Sequence, residues 1–372
     1  MAEIKLVNVT KKYEDEKKIV ENFSLEIGDG EFVVLLGPTH SGKSPILRMI
    51  AGLDDVTEGE LFIDDTLSNN LMPKDRNVAM VFQNQQLMPH LSVYDNIAFG
   101  LKLRKISPLD INVKIREIAR IMDIENVLSR KPKSLTSIER QRVIIARALV
   151  REPNVVLFDD TLTSFDENLT KRVRSELVKL QYRLNLTFIF ATRDQLDAMS
   201  MATRIVVMND GKIEQIGTPK EIYQNPQTAF VATYVGSPQI NFANVRLISD
   251  NGETKISMLG KSVALDESVK EKIADIAEYL DTEKTLTLGI RPENVNVCDK
   301  ENAILTAIVD GVEDYGAYKV IALKMKEKTI SDWSVTVSDD NAYQIDQEIG
   351  LNPDMSKIYL FDTETDVTVF NK

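Results

Sequence analysis

The chain has 372 residues, enough for two or three domains that each bury a core of their own. Its hydrophobic share of 43% and charged share of 27% are ordinary for a globular protein. A formal net charge of −12 argues against a broad nucleic-acid surface, two histidines (His40 and His90) are too few for a His-rich zinc site, and one cysteine, Cys298, rules out a disulfide framework within the chain.

From 1 to 235 strand and helix signals alternate, which implies an α/β layer architecture. Residues 6–9 and 23–27 read as early strands. Residues 31–36 form an apolar run of buried-strand type, and 46–51 carry a helical pattern. Between them lies Gly37-Pro38-Thr39-His40-Ser41-Gly42-Lys43-Ser44, the Gly-x-x-x-x-Gly-Lys-Ser spacing of a phosphate-binding loop. Such a loop wraps backbone N–H groups around polyphosphate, its lysine reaches the outer phosphates, and its serine hydroxyl ligates Mg²⁺. The flanking strand and helix set it apart from a chance Gly-rich turn.

Residues 77–82 read as a further strand. Over 107–129 the apolar positions Ile111, Ile115, Ile118 and Met122 recur at helical spacing, and 139–150 also reads as helix. Residues 155–158 are an apolar strand running into Asp159-Asp160, and 187–191 are another running into Thr192-Arg193-Asp194. Residues 204–209 and 212–216 flank Asp210-Gly211 as a hairpin. Near Pro238 the character changes to short alternating segments at 285–290, 304–312, 318–323 and 358–361, interrupted by a helix-like stretch over 268–280. That pattern predicts a small β-rich domain, an OB-like barrel, over 236–372. The N-terminus lacks the charged-then-apolar pattern of a signal peptide, and no apolar run is long enough for a membrane span, so work at a membrane would need a partner to hold the chain there.

The order of these features resembles the ATP-binding subunits of ABC transporters. Within them it is most similar to the maltose-type sugar importer subunits that carry a C-terminal regulatory domain. The likeness rests on Leu47-Arg48-Met49-Ile50-Ala51-Gly52-Leu53, Val81-Phe82-Gln83-Asn84, Val93-Tyr94-Asp95-Asn96-Ile97-Ala98-Phe99-Gly100-Leu101-Lys102, Arg204-Ile205-Val206-Val207-Met208 and Gln215-Ile216-Gly217-Thr218-Pro219. Leu288-Gly289-Ile290-Arg291-Pro292-Glu293 extends it into the C-terminal domain. The resemblance implies a P-loop nucleotide-binding domain over 1–235, with a helical subdomain over about 84–150. It implies that Tyr13 stacks on adenine, that Lys43 holds the β- and γ-phosphates, and that Ser44, Gln83 and Asp159 surround Mg²⁺ and its waters. The plainer readings are a half-buried aromatic at a strand end for Tyr13 and a surface turn residue for Gln83. It also implies a head-to-tail pair with a second nucleotide-binding subunit, the same or different. Membrane-spanning permease subunits would dock on the segment 83–96 and hold the pair on the cytoplasmic face of the cell membrane, and a regulatory protein would bind the C-terminal domain.

The departures from the family pattern fall on the chemistry. The family signature is Leu-Ser-Gly-Gly-Gln, with which one subunit closes over the ATP of the other. Here Leu135-Thr136-Ser137-Ile138-Glu139 stands in its place. Ser137 and Ile138 add side chains where backbone N–H groups should approach the γ-phosphate, and Glu139 adds an anion near a polyanion. The family's catalytic Glu is Asp160, one methylene shorter, and its switch histidine is Arg193. Thr163-Ser164-Phe165-Asp166 replaces Ser-Asn-Leu-Asp. In the phosphate loop, His40 stands for Gly, either as a new phosphate contact or as a tolerated loop residue. Pro45 stands for Thr and removes both a hydroxyl and an N–H.

Two functions follow as expectations. One is the energising subunit of a solute importer whose ATP hydrolysis is weak or lost. The other is a non-catalytic nucleotide-binding regulator or scaffold. A repair-type ATPase of the same superfamily is disfavoured, because the interval from Lys43 to Asp159 has no room for a long coiled-coil insertion.

Overall fold

The computed structural model describes residues 3–13, 17–83, 86–163, 165–258, 261–326, 331–339 and 341–371. They form two compact units, Met1–Lys220 and Glu221–Lys372. The division falls before the change of composition near Pro238, so residues 221–235 fold with the second unit.

The first unit opens with β1 (Ile4–Lys12), β2 (Lys18–Ile27), β3 (Phe32–Leu36), α1 (Lys43–Ala51), β4 (Glu58–Ile63), β5 (Thr66–Leu67) and β6 (Val78–Phe82). Three helices follow, α2 (Val93–Leu103), α3 (Pro108–Ile121) and α4 (Ser137–Leu149). The unit continues with β7 (Val155–Asp159), α5 (Glu167–Leu184), β8 (Thr187–Thr192), α6 (Gln195–Met201), β9 (Arg204–Asn209) and β10 (Lys212–Gly217). Two sheets result. A four-stranded antiparallel sheet has the order β2-β1-β4-β5, and a six-stranded sheet has the order β10-β9-β3-β8-β7-β6. In the second sheet β9, β3, β8, β7 and β6 run parallel and β10 pairs antiparallel at the edge.

The central strands are apolar on both faces. All of Phe32–Leu36 and Thr187–Thr192 is buried, as the continuous apolar runs require for a parallel sheet covered on both sides. α1 and the antiparallel sheet cover one face, where Ile46, Leu47 and Ile50 meet Val33, Leu35, Leu157 and Ile189. Phe32, Phe158, Phe188 and Phe190 pack ring against ring on the sheet.

The helix expected over 107–129 ends at Ile121, because Met122 bonds back as a cap and Asp123 turns to φ 53°. α4 begins at Ser137, two residues before the expected start, because Thr136 caps it.

The helix α7 (Pro219–Gln224) starts two residues before the second unit, which continues through α8 (Ala229–Tyr234), β11 (Asn241–Asp250), β12 (Glu253–Met258), β13 (Lys261–Ala264) and α9 (Glu267–Lys270). It closes with β14 (Leu286–Ile290), β15 (Val295–Cys298), β16 (Leu305–Asp314), β17 (Lys319–Met325), β18 (Trp333–Val337), β19 (Glu348–Pro353) and β20 (Ile358–Asp362). Two five-stranded sheets, β13-β12-β11-β14-β20 and β15-β19-β16-β17-β18, enclose one apolar core.

The helix expected over 268–280 is not continuous. Only Glu267–Lys270 is α-helical and Ile276–Glu278 forms a single 3₁₀ turn. Between them the backbone is drawn into pairing with the C-terminal segment. Ala274 N–H donates to the Val369 carbonyl at 2.9 Å, and Ile273 bridges Phe370. Tertiary pairing overrides a local helical spacing of Val269, Ile273, Ile276 and Leu280.

The phosphate-loop helix is fixed from behind by Arg76. This side chain is 4% exposed and donates to the carbonyls of Met49 at 2.6 Å and Ile50 at 3.2 Å, at the end of α1, and to that of Leu71 at 2.9 Å. It satisfies orphan carbonyls that water does not reach. Arg76→Met is expected to lower stability by about 2–3 kcal/mol and the melting temperature of the first unit by roughly 4–12 °C, measured by scanning calorimetry.

Candidate functional site

The carboxyl ends of neighbouring parallel strands converge on one edge, the usual location of a ligand crevice in an open α/β sheet. Register places Leu36 beside Thr192, Asp159 beside Ala191, and Phe82 beside Asp159. The loop 37–42 leaves β3 there and enters α1. It is tied to its neighbour by Gly37 N–H donating to the Thr192 carbonyl at 3.3 Å. A Cβ at Gly37 would lie 2.2 Å from the Met208 carbonyl oxygen, so no other residue fits. Gly42 is the N-cap of α1 at φ 94° and would also bring a Cβ to 2.9 Å from the Ile19 carbonyl. His40 adopts φ 68° and is exposed, as is Thr39; Pro38 is half-buried and Ser41 buried.

Among the described helices of eight residues or more, α1 alone has no side-chain cap, and it has no acidic residue in its first turn. Its orphan N–H groups and its dipole are left for an anion. Pro45 sits in that first turn, where an N–H has no intrahelical partner, so it costs the helix no bond but removes one donor from the cradle. Lys43 Nζ donates to the carbonyls of Gly37 (2.8 Å) and Pro38 (2.6 Å) and to Ser41 Oγ (3.0 Å). Burial draws the Lys43 ammonium down to about 8, against the pull of Asp160 and Asp159, and the positive Arg193 adds to the lowering.

Ser44 Oγ donates to Asp159 Oδ1 at 2.7 Å, joining the first turn of α1 to the end of β7. Burial pushes the Asp159 carboxyl up, and the Ser44 bond opposes this. Adjacent oxygen ligands on an octahedral Mg²⁺ at about 2.1 Å stand roughly 2.9 Å apart, close to this spacing, and a hydroxyl with a carboxylate is the oxygen donor set that hard cations take. Gln83 faces the next carboxylate instead: its Nε2 donates to Asp160 Oδ2 at 3.4 Å. Asp160 adopts φ 47° and its N–H donates to the Ala191 carbonyl at 2.9 Å. Its other carboxylate oxygen, Oδ1, accepts from the Thr163 hydroxyl. Asp160, Thr163, Thr192, Arg193 and Asp194 line one cavity of about 310 Å³, so the structure brings the expected base and switch positions together.

Tyr13 keeps 43% of its surface exposed. Its hydroxyl donates to Asp54 Oδ2 at 2.9 Å, and Asp54 in turn holds Arg48 of α1 through bonds of 2.9 and 3.0 Å. Lys11 Nζ lies 5.1 Å from the ring centre. The aromatic is thus tethered to the phosphate-loop helix with much of its surface uncovered.

The segment 135–139 is built differently from the loop at α1. Leu135 is buried, Thr136 caps α4, and a capping box closes its N-terminus. Glu139 N–H donates to Thr136 Oγ1 at 3.2 Å, and Thr136 N–H donates to Glu139 Oε2 at 2.8 Å. The Thr136 N–H bond holds the Glu139 carboxyl below the usual carboxylate range. Ser137 is exposed, but Ile138 is half-buried and lines a groove with Val173, Leu177 and Leu180 of α5. Ile138, Gln141, Arg142 and Ile145 share one helical stripe that turns inward. Ser164, Asn84 and Gln85 of the expected motifs lie outside the described residues.

One network had no signal in the sequence. Arg174 of α5 pairs with Asp194 Oδ2 at 2.7 Å and Asp197 Oδ1 at 2.5 Å, and Thr192 Oγ1 donates to Asp197 Oδ2 at 2.7 Å. It braces the backbone on both sides of Arg193. Twenty or more residues separate the partners, so only the fold reveals the contact.

The chain matches the ABC transporter family model over residues 20–163 and the MalK OB fold domain model over residues 236–295. It is 40% identical to the sn-glycerol-3-phosphate import ATP-binding protein UgpC of Psychromonas ingrahamii, covering 98% of this chain and 95% of that one. It is also 40% identical to the oligosaccharides import ATP-binding protein MsmX of Bacillus subtilis, covering 99% and 100%. Among solved structures it resembles the ATP-binding cassette MJ0796 in a dimeric post-hydrolysis state bound to ADP and Pi, with a TM-score of 0.51 and 31% identity over 58% of this chain and 98% of that one. It also resembles cbiO1 from Clostridium perfringens, with a TM-score of 0.56 and 26% identity over 59% and 89%. The chain belongs to the ABC transporter ATP-binding proteins and carries an OB-fold domain of the MalK kind. Among the described residues no helix is long and apolar enough to cross a membrane.

The lowered Lys43 gives a pH signature. Phosphate favours the charged ammonium, so binding of nucleotide between about pH 8 and the ordinary lysine value near 10.5 takes up a proton. Affinity should fall as pH rises above about 8, approaching tenfold per unit. Calorimetry at pH 8.5 in buffers of different ionisation heat should register that uptake, and Lys43→Met should abolish it.

Proposed function

We propose that this chain is the ATP-binding subunit of an importer for a sugar or similar hydroxyl-rich solute, and that its hydrolytic cycle is slow or lost. The relatives' names, glycerol-phosphate and oligosaccharide import, support the solute class. The dimeric cassette supports work as a pair, with a like or unlike second subunit. Membrane-spanning permeases would hold the pair on the cytoplasmic face of the cell membrane, and the OB-fold domain offers a place for a regulatory protein. No nucleic-acid role is proposed.

The observation that carries nucleotide binding is the uncapped start of α1 beside Lys43, with Ser44 bonded to Asp159. In this reading the loop 37–44 holds the phosphates of ATP, Tyr13 offers its ring to the base, and the oxygens of Ser44 and Asp159 hold Mg²⁺, with Gln83 nearby. Bound Mg²⁺ would supply charge neutralisation at the phosphates.

The slow cycle rests on three substitutions. Asp160 is one methylene short, and its two oxygens already accept from Thr163 and Gln83. A general base withdrawn by about 1 Å costs on the order of 100-fold. Glu139 fills the start of α4 with its own carboxylate, where the family's neutral glutamine would meet a partner's phosphate without repulsion. Arg193 carries a fixed charge where the family uses an imidazole that takes and gives protons.

The test pairs Mg-nucleotide binding with steady-state phosphate release on the purified protein. Binding at millimolar nucleotide or below, with turnover under about 0.1 s⁻¹, is expected, and ordinary enzyme turnover of ~1–10 s⁻¹ would refute the slow cycle. Restoring Asp160→Glu, Arg193→His, Ser137→Gly, Ile138→Gly and Glu139→Gln together should raise turnover roughly 100-fold or more. Glu139→Gln alone keeps the capping box and should leave thermal stability nearly unchanged.

A further inference from the structure

The groove behind the first turn of α4 lies apart from the phosphate loop and shares only Ile138 with the signature segment. It is a cavity of about 190 Å³ between α4 and α5, and its walls include Ile138, Ile145, Leu177 and Leu180. Gln141 also lines it. This side chain is only 7% exposed, and its amide nitrogen is buried without a hydrogen-bond partner among the described residues. A buried, unpaired amide donor is costly, and the deficit is removed when an acceptor is supplied. The last torsion of a glutamine is broad, so the amide turns toward an acceptor without leaving a rotamer well.

Of the three cations that line the cavity, one is held in ion pairs at the mouth. Arg142 is taken up by Asp123 at 3.0 Å and Glu176 at 2.7 Å, while Lys179 and Arg183 stand exposed at the rim. The interior therefore offers apolar surface and one neutral donor. An apolar cavity of about 150 Å³ in another protein takes benzene, so this one has room for a single ring with a small substituent.

We propose that this cavity is a binding site for a small neutral molecule, mostly apolar, whose single hydrogen-bond acceptor pairs with the Gln141 amide. The occupant touches Ile138, inside the segment that the family uses to close over a partner's nucleotide. The site stands independently of nucleotide binding and turnover.

The test uses three probes of one size on the full chain without nucleotide: acetophenone, its isostere α-methylstyrene, which lacks the acceptor, and benzoate, which is charged. Methyl-labelled protein is titrated and followed by NMR. The expected result is saturable shifts at the Ile138 and Ile145 methyls and at the Gln141 side-chain amide. Acetophenone should bind roughly tenfold or more tighter than α-methylstyrene, the factor that one satisfied buried donor supplies. Gln141→Met should level the two affinities. Absence of saturable shifts up to the solubility limit, equal affinity for the isosteres in the unaltered protein, or preference for benzoate would each overturn the proposal. The isostere comparison needs no variant, so a misfolded Gln141→Met leaves the test decisive.

Discussion

The contact between Ser44 and Asp159 is the interaction around which the site of the first unit is organised. It is a 2.7 Å bond between residues 115 positions apart. It exists only because β3 and β7 flank β8 in a parallel sheet and end at the same edge. The strand order brings the loop after β3, the carboxylate pair after β7 and the turn after β8 onto that edge. Gly37 then lets the loop pass the Met208 carbonyl, and Arg76 holds the far end of α1 so that the near end keeps its aim. Burial in this crevice has a second effect. It lowers Lys43 and raises Asp159, so both groups sit in less favourable charge states than water would give them. A Mg-nucleotide, by supplying the opposite charge to each, would relieve that cost.

Two helix starts in the same unit make opposite use of the same physics. α1 leaves its first N–H groups uncapped behind glycines, while α4 fills its own start with Thr136 and Glu139. The capping box gives α4 a firm local end. It also places a carboxylate where an approaching phosphate would meet repulsion. Asp160 shows the same self-sufficiency, since Thr163 and Gln83 already bond its oxygens. The proposed slow cycle follows from groups that have found partners within their own chain.

Much of the architecture was legible in the sequence. Continuous apolar runs at 31–36, 155–158 and 187–191 became the central strands, and the Asp210-Gly211 turn became the β9–β10 hairpin. The phosphate-loop spacing placed the loop itself, because glycine requirements are local, while α1 starts at Lys43, three residues before the helical pattern at 46–51. Long-range effects were not legible. The spacing of Val269, Ile273, Ile276 and Leu280 reads as a helix, but backbone pairing with residues 369–371 breaks it. That Ile138 also lines a groove against α5 shows only in the fold. The Arg174 brace around Arg193 and the pairing of Gln83 with Asp160 depend on segments far apart in the chain.

The most direct measurement is the Mg²⁺ dependence of nucleotide affinity, by equilibrium titration of a slowly hydrolysed ATP analogue with and without the ion. If the Ser44 and Asp159 oxygens form a cation seat beside the phosphate cradle, Mg²⁺ should tighten binding by roughly tenfold or more, and Asp159→Asn should remove most of that gain without unfolding the chain. Equal affinity with and without Mg²⁺, or a gain that survives in Asp159→Asn, would contradict it.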